Sequence, residues 1–269
     1  MKNFIYSVYL FLFARPFFRK WNELLLRFGM KGLGLLNHQS FEASGEAFLL
    51  KTILQKYKPK NIFDVGANEG DYAQACLKLG YQGQIYCFEP HPKTFARLQQ
   101  KFAQQANIQC VNKGLSAETQ TAVIYDHASA QGSEHATLYA DTISQTHKSQ
   151  IQQTEIQLIS FDQWAKEAGI DSVDFFKIDI EGHELAALQG AKEWIETQKI
   201  AIMQIEFGET NIASRTFFRD IRSLLAPNYR LYRLLPQGVL EMNFGNEYLH
   251  ELFAFQNLVA VRKDINLFA

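Results

Sequence analysis

Beyond residue 40 the chain alternates short apolar runs with stretches whose apolar residues recur at helical spacing. The runs are Asn61 to Ala67, Gln84 to Glu89, Ile108 to Val111, Val173 to Ile178 and Ile200 to Ile205. Ile62, Phe63 and Val65 are apolar on both alternate sets of positions, which suits strands covered on both faces, as in a parallel sheet. Between the runs, helical patterns cover Asp71 to Leu79, Pro92 to Gln105, Phe161 to Ala168, Leu185 to Ile195 and Phe217 to Leu225. Gly80 just past the first of these and Pro92 in the first turn of the second are the expected end signals. Phe41 to Tyr57 predicts a further helix with Phe48, Leu49, Ile53 and Leu54 on its apolar side and Pro59 at its exit. Ala122 to Tyr125 and Glu155 to Ile159 predict strands able to pair. Tyr229 to Leu235 and Phe255 to Val261, joined by a loop with Gly238 and Gly245, predict a terminal hairpin. Strands alternating with helices specify an α/β fold, a mostly parallel sheet with helices on both faces.

Two segments depart from this alternation. Gln131 to Gln153 is rich in Ser, Thr, Gln and His and predicts a loop, lid or substrate-facing insertion. His127, His135 and His147 lie in or beside it, as solvated residues or as substrate contacts. At the other end, Phe4 to Ala14 is an apolar run stopped by Arg15-Pro16. Eleven residues are too few for a bilayer core, which needs roughly 20. Lys2 and the apolar run resemble the start of a signal peptide, yet no small-x-small cleavage site precedes the charges. Trp21, Leu24, Leu25, Phe28, Leu33, Leu35 and Leu36 follow, interleaved with Arg19, Lys20, Arg27 and Lys31. Residues 1–36 therefore suit a helical segment packed on the domain or on a second copy in a homo-oligomer, or a peripheral membrane contact. The expected organisation is an apolar, basic segment over 1–40 and one α/β domain over 41–269, within the length that a single core accommodates.

Charge and cysteines narrow the function. The 269 residues carry 27 Lys and Arg against 28 Asp and Glu, a net charge of -1. No global field gathers polyanions, which disfavours nucleic acid as substrate. Cys76, Cys87 and Cys110 sit among apolar neighbours without metal-type spacing and read as reduced core thiols. The expected location is cytoplasmic, with membrane association left open by the N-terminal segment.

Candidate chemistry lies where strands end, since ligands of such sheets bind outside the carboxyl ends near the switch in strand order. Asp64, Glu89, Asp179 and Glu206 all fall there. One strand-end acid is commonly a solvated turn residue; four in register make a stronger pattern. Asp64-Val-Gly-Ala-Asn-Glu-Gly70 departs from the dinucleotide fingerprint because Asn68 stands where a second glycine would let a pyrophosphate approach. With no diphosphate to cradle, Asp64 can face the cationic amino group of a methionine moiety, and Glu89, nineteen positions beyond Gly70, can hold a ribose.

Asp64-Val-Gly-Ala-Asn-Glu-Gly70, Phe88-Glu-Pro-His-Pro92 and Lys177-Ile-Asp-Ile-Glu-Gly-His-Glu184, in this order and spacing, resemble the FkbM family of S-adenosylmethionine-dependent methyltransferases over Asn61 to Phe207. The resemblance implies a Rossmann-like class I methyltransferase sheet of seven strands with an antiparallel last strand. It implies S-adenosyl-L-methionine as cofactor and O-methylation of hydroxyls on sugars, lipid-linked glycans or polyketide-type products. It assigns Asp64, Gly66, Asn68 and Gly70 to the methionine end of the cofactor and Glu89 to the ribose. Asp179 falls beside the methyl donor, and Asn112 to Ser116 near the adenine.

The protein must then align an acceptor oxygen and remove its proton. His183 is a candidate general base because imidazole titrates near neutrality; Asp179 and Glu181 compete for that role. The alternative for His183 is a helix-start residue without a proton-transfer role. His91, beside Pro92, reads as a turn or cap residue. Asp179, Glu181, His183 and Glu184 cluster in sequence, but their spacing is not that of a metal site, and no metal is expected. The leading function is methyl transfer to a hydroxyl of a small-molecule or glycan acceptor, such as a saccharide or cell-envelope precursor. The alternatives are a nicotinamide-dependent oxidoreductase, or a non-catalytic cofactor-binding module that docks a partner.

Overall fold

The computed structural model describes residues 2–127, 138, 151–242, 245 and 247–268. Apart from 138 and 151–153, the polar insertion expected over Gln131 to Gln153, with His135 and His147, lies outside the described residues. The strands are β1 (Asn61–Val65), β2 (Gln84–Phe88), β3 (Ile108–Val111), β4 (Gly114–Leu115), β5 (Gln120–His127), β6 (Ile151–Ile159), β7 (Val173–Ile178), β8 (Ile200–Phe207), β9 (Tyr229–Leu235), β10 (Gly238–Glu241) and β11 (Gln256–Arg262). Eight of them form one sheet in the order β10-β9-β11-β8-β7-β1-β2-β3. β1 pairs in parallel with β2 and β7, β2 with β3, and β7 with β8. β11 is antiparallel to both β8 and β9, so only β11 and the edge strand β10 run against the sheet. This is the expected Rossmann-like α/β sheet with an antiparallel last strand, and it has one strand more than expected. The additional strand, β10, occupies the stretch read as loop and forms a hairpin with β9 across Pro236 and Gln237.

The chain runs outward from β1 through β2 to β3, then returns to the other side of β1 to lay down β7 and β8. The switch in strand order therefore falls between β1 and β7, where a crevice opens at the carboxyl ends. Over that side lies a second sheet, β4-β6-β5, whose long hairpin pairs Gln120 with Leu158 through His127 with Ile151.

The helices are α1 (Lys2–Phe13), α2 (Arg19–Gly32), α3 (Glu46–Thr52), α4 (Asp71–Lys78), α5 (Pro92–Lys101), α6 (Phe161–Glu167), α7 (Glu184–Gln189), α8 (Lys192–Glu196), α9 (Thr210–Ala213) and α10 (Phe218–Leu225). Alternate strand residues feed two cores. Phe63, Val65, Phe176, Ile178 and Met203 pack under α6, α8 and α10, while Ile62, Phe175, Ile202 and Val259 pack against α3, α4 and α5. Phe63 stacks on Tyr86 with ring centroids 4.5 Å apart and meets Phe161 edge-on at 5.5 Å; burial of such a ring contributes about 1.5–3 kcal/mol. Cys76 and Cys87 are buried and all three cysteines are free.

Two helix expectations are corrected. The helix expected from Phe41 starts at Glu46, because residues 41–45 form turns that end at Gly45, with φ +86. The helix expected over Leu185 to Ile195 is two, α7 and α8. Gly190 lies so close to the Ser116 backbone that a Cβ would stand 1.9 Å from its carbonyl oxygen. The Gly190 carbonyl also accepts from Asp162 N at 2.8 Å, so the helix breaks where it meets the β4 and α6 segments.

Candidate active site

Register brings the strand-end residues to one edge. Val65 pairs with both Phe88 and Ile178, and Ile178 with Ile205, so Gly66, Glu89, Asp179 and Glu206 emerge side by side. Two adjoining clefts open there and share Gly66, Asn68, Asp179 and Glu181 as a common wall. The first cleft has a polar end, with Glu89 and His183, and an apolar end of Leu115, Ile124, Ile156 and Leu158. The second is lined by His38, Glu206, Glu209 and Thr210. The apolar wall from the small sheet is absent from the sequence reading. The alternation of Ile156 and Leu158 with polar neighbours was its available signal.

The turn after β1 is built for close approach of chain to chain. Gly66 has φ +83, and a Cβ there would lie 1.8 Å from the Asp179 carbonyl oxygen. The ends of β1 and β7 therefore close on each other only with glycine at this position. Gly70, with φ +80, lies outside both clefts; a Cβ would meet the Phe102 ring at 2.3 Å. Its expected closeness to a ligand is here closeness to α5. Asn68 adopts φ +48, which directs its N–H to Glu89.

Glu89 is buried, and its two carboxylate oxygens accept from Asn68 N at 3.0 Å and His91 N at 2.8 Å. Burial raises its carboxyl to about 7 against those two donors. Asn112 Nδ2 donates to the carbonyl of Glu89 at 2.9 Å and to that of Pro90 at 3.2 Å, so Asn112 braces the turn from outside the clefts. His91 is the N-cap of α5, accepting from Thr94 N, as the cap reading expected.

Asp64 lines neither cleft. It is fully buried, and among the described residues neither of its oxygens has a hydrogen-bond partner. Its neighbour is Lys177 Nζ at 3.9 Å, which in turn donates to Asp179 Oδ2 at 2.9 Å and lies 5.3 Å from the centre of the Tyr72 ring. Burial pushes the Asp64 carboxyl up to about 6, with Lys177 opposing the rise. For Lys177, burial disfavours the charge, but Asp179, Asp64 and Glu46 outweigh it and hold the ammonium above its ordinary range. Lys177 appears in the sequence reading only as part of a motif. A lysine inside Val173-Asp-Phe-Phe-Lys-Ile178 was the sign of a paired buried charge.

The loop from Asp179 to His183 turns at Glu181, φ +53, and Gly182, φ +100. Glu184 staples it. Its Oε1 accepts from Ile180 N at 3.1 Å and Gly182 N at 3.0 Å, and its Oε2 accepts from Asn211 Nδ2 at 2.9 Å. The His183 ring lines the first cleft, with Nε2 3.0 Å from Ser116 Oγ, while Ser116 itself is buried outside the clefts. Burial pushes the His183 imidazole down to about 4, so the ring is neutral at physiological pH. Burial also raises Glu206 well above the usual carboxylate range, reinforced by Asp179, Glu181 and Glu184. Among the described residues, no group of three or more His, Cys, Asp or Glu side chains is placed to hold a metal ion.

Burial raises the Glu184 carboxyl from 4.5 to about 7 despite its three donors. The folded state thus holds this proton more tightly than the unfolded chain. The resulting stabilisation is complete below the ordinary carboxylate value and is lost as pH climbs through 7. Glu184→Gln is expected to flatten the fall in melting temperature between about pH 5 and 8. A slope as steep as that of the unaltered protein would assign the fall to other groups.

A sequence model of the methyltransferase FkbM domain matches residues 64–234, more than half of the chain. The chain is 25% identical over 197 residues to the 2-O-methyltransferase NoeI of Sinorhizobium fredii, an alignment covering 70% of this chain and 79% of that one. It is also 25% identical over 166 residues to the hexuronic acid methyltransferase AglP of Haloferax volcanii, covering 61% of this chain and 64% of that one. Among solved structures, the FkbM methyltransferase of Methylobacillus flagellatus is similar over 82% of this chain, at 16% identity and a TM-score of 0.45. This chain spans 52% of that chain's length. Matched across the strand-end edge and both clefts' shared wall, the chain belongs to the FkbM methyltransferase family.

Proposed function

We propose that this protein transfers a methyl group from S-adenosylmethionine to a hydroxyl oxygen of a saccharide or glycan acceptor. The observation that carries the reading is the first cleft, with a buried carboxylate at one end and an apolar wall at the other, in a chain of a methyltransferase family. The residues fit such a cofactor. Each Glu89 oxygen accepts one backbone N–H and keeps a lone pair for a ribose hydroxyl. Leu115, Ile124, Ile156 and Leu158 suit a purine face. Asp64, buried near the end of β1 with no hydrogen-bond donor on its oxygens among the described residues, supplies negative potential toward a cationic methionine end. Gly66 and Asn68 lend backbone at the same end. When bound, the cofactor supplies an activated methyl group on a sulfonium.

The remaining work falls to the chain. Asp179, fixed by Lys177, orients the acceptor hydroxyl. His183, a neutral imidazole 3.0 Å from Ser116 Oγ, takes the hydroxyl proton. Glu181 is the competing acceptor. Glu206, Glu209 and His38 line the second cleft, where they suit recognition of a hydroxylated acceptor. The relatives' names, a 2-O-methyltransferase and a hexuronic acid methyltransferase, support a saccharide. Free cysteines fit a reducing, cytoplasmic setting.

Glu89→Ala removes an anionic partner for two ribose hydroxyls. At about 1.5–3 kcal/mol for each such hydrogen bond, the loss of two should lower affinity for S-adenosylhomocysteine by at least about 100-fold in a calorimetric titration. Affinity within about threefold of the unaltered protein would reject the ribose assignment. The activity itself is tested with radiolabelled methyl donor and fractionated saccharides. Label is expected in a methyl ether stable to base; label recovered only as a base-labile ester would move the reaction from hydroxyl to carboxylate.

A further inference from the structure

The two N-terminal helices, unlike the other α-helices of the molecule, bury none of their described side chains. No side chain from residue 3 to residue 32 is buried, although the segment is dominated by large apolar residues. Phe4 is 73% exposed, Phe11 72% and Phe17 88%. Of the 22 large hydrophobic residues exposed among the described residues, 15 lie between Phe4 and Leu33; the other seven come from six separate segments. The arm is nevertheless ordered on itself and rooted in the domain. Asn22 Nδ2 donates to Phe13 O at 3.0 Å and the Phe13 and Phe18 rings meet at 5.2 Å. At the root, Leu35 is fully buried, Arg233 Nη1 donates to Leu33 O at 3.3 Å and Leu36 N donates to Phe255 O at 2.9 Å.

Charge selects what covers this arm. Residues 1–36 hold six basic residues against the single acid Glu23, a net +5, while the remaining 233 residues hold 21 basic residues against 27 acids, a net -6. Arm-to-arm packing of two copies would bring together two segments of +5, and the described body exposes only seven large apolar residues against the fifteen of the arm. A lipid surface with anionic headgroups satisfies both features, taking the apolar side chains into its interface and pairing with the basic ones. α1 has 12 residues and α2 has 14, about 18 Å and about 21 Å of helix against a hydrocarbon core of about 30 Å. No described helix is long and apolar enough to cross a membrane.

We propose that residues 1–36 dock this protein on an anionic lipid surface, lying in the interface rather than crossing it. The root of the arm is also a wall of the second cleft: Leu36 and His38 line it, and the His38 ring packs edge-on to Phe255 at 5.7 Å. Docking and acceptor entry therefore share one segment. The proposal stands on the arm alone and survives a failure of the methyl-transfer reading.

The test is flotation of the full chain with phosphatidylcholine vesicles, with and without phosphatidylglycerol. The protein should float with the anionic vesicles, at least about tenfold less with phosphatidylcholine alone, and be released by high salt. The double variant Phe11→Glu, Phe17→Glu should lose flotation by about tenfold or more while keeping its melting temperature and its affinity for S-adenosylhomocysteine. Absence of flotation, or flotation of the variant equal to that of the unaltered protein, overturns the proposal. So does a dimer in sedimentation velocity that the double variant converts to monomer, which would assign the arm to a second copy.

Discussion

Replacing His183 by alanine is expected to lower kcat by about two to four orders of magnitude, the usual contribution of a positioned proton acceptor, with little change in the affinity for S-adenosylhomocysteine. The ring lines the cleft next to Asp179 and Glu181, 3.0 Å from Ser116 Oγ, so its removal takes away the proposed base and leaves the Glu89 end in place. Burial keeps the imidazole near 4, so it is neutral from about pH 5 upward and lowering the pH from 8 to 6 does not imitate the substitution. Asp179→Asn should also depress kcat, through loss of the carboxylate that Lys177 fixes. Added imidazole should restore part of the rate to the His183 variant and none to the Asp179 variant. If neither substitution alters turnover, the catalytic centre is misplaced and Glu181 becomes the residue to examine.

Lys177→Met should cost about 3–5 kcal/mol of stability, the cost of breaking a buried ion pair from one side. The ammonium is the cation that faces Asp64, whose oxygens have no hydrogen-bond donor among the described residues, and it also holds Asp179. For a chain of this size such a loss lowers the melting temperature by about 10 °C. The sign of its pH dependence identifies the cause. Without Lys177 the Asp64 carboxyl, already raised to about 6, rises further. A raised carboxyl stabilises the fold below its unfolded value and loses that contribution as pH climbs. The variant should therefore be closest to the unaltered protein in mild acid and furthest from it above pH 7. Adding Asp64→Asn should recover much of the loss at neutral pH. A deficit independent of pH, or one that Asp64→Asn leaves untouched, would mean that Lys177 acts by packing on Tyr72 instead.

The strands were legible because their signals are local. Ile62, Phe63 and Val65, or Phe175, Phe176 and Ile178, fill both faces of one sheet, and no distant residue changes that. The edge of the clefts was legible for a related reason. Parallel strands of matched length end together, so acids at or after strand ends fall side by side. What escaped depends on contacts between remote segments. The break at Gly190 is dictated by the Ser116 backbone, and the start of α3 by Gly45 packing on Leu235. That Asp64 sits beneath the clefts beside Lys177 follows from the pairing of two strands remote in sequence, which places the two residues opposite each other in register. The apolar wall of the first cleft comes mainly from β5 and β6, two alternating segments separated by the polar insertion. The arm was visible as apolar and basic, but only the structure reveals that residues 3–32 bury no side chain.

The central claim is that the first cleft accepts an adenosyl sulfonium compound. Calorimetric titration of S-adenosylhomocysteine into the full chain tests it most directly. Saturable binding at one site per chain is predicted, with NAD producing no heat of binding. A folded protein that fails to bind S-adenosylhomocysteine, or that binds NAD in its place, would contradict the account.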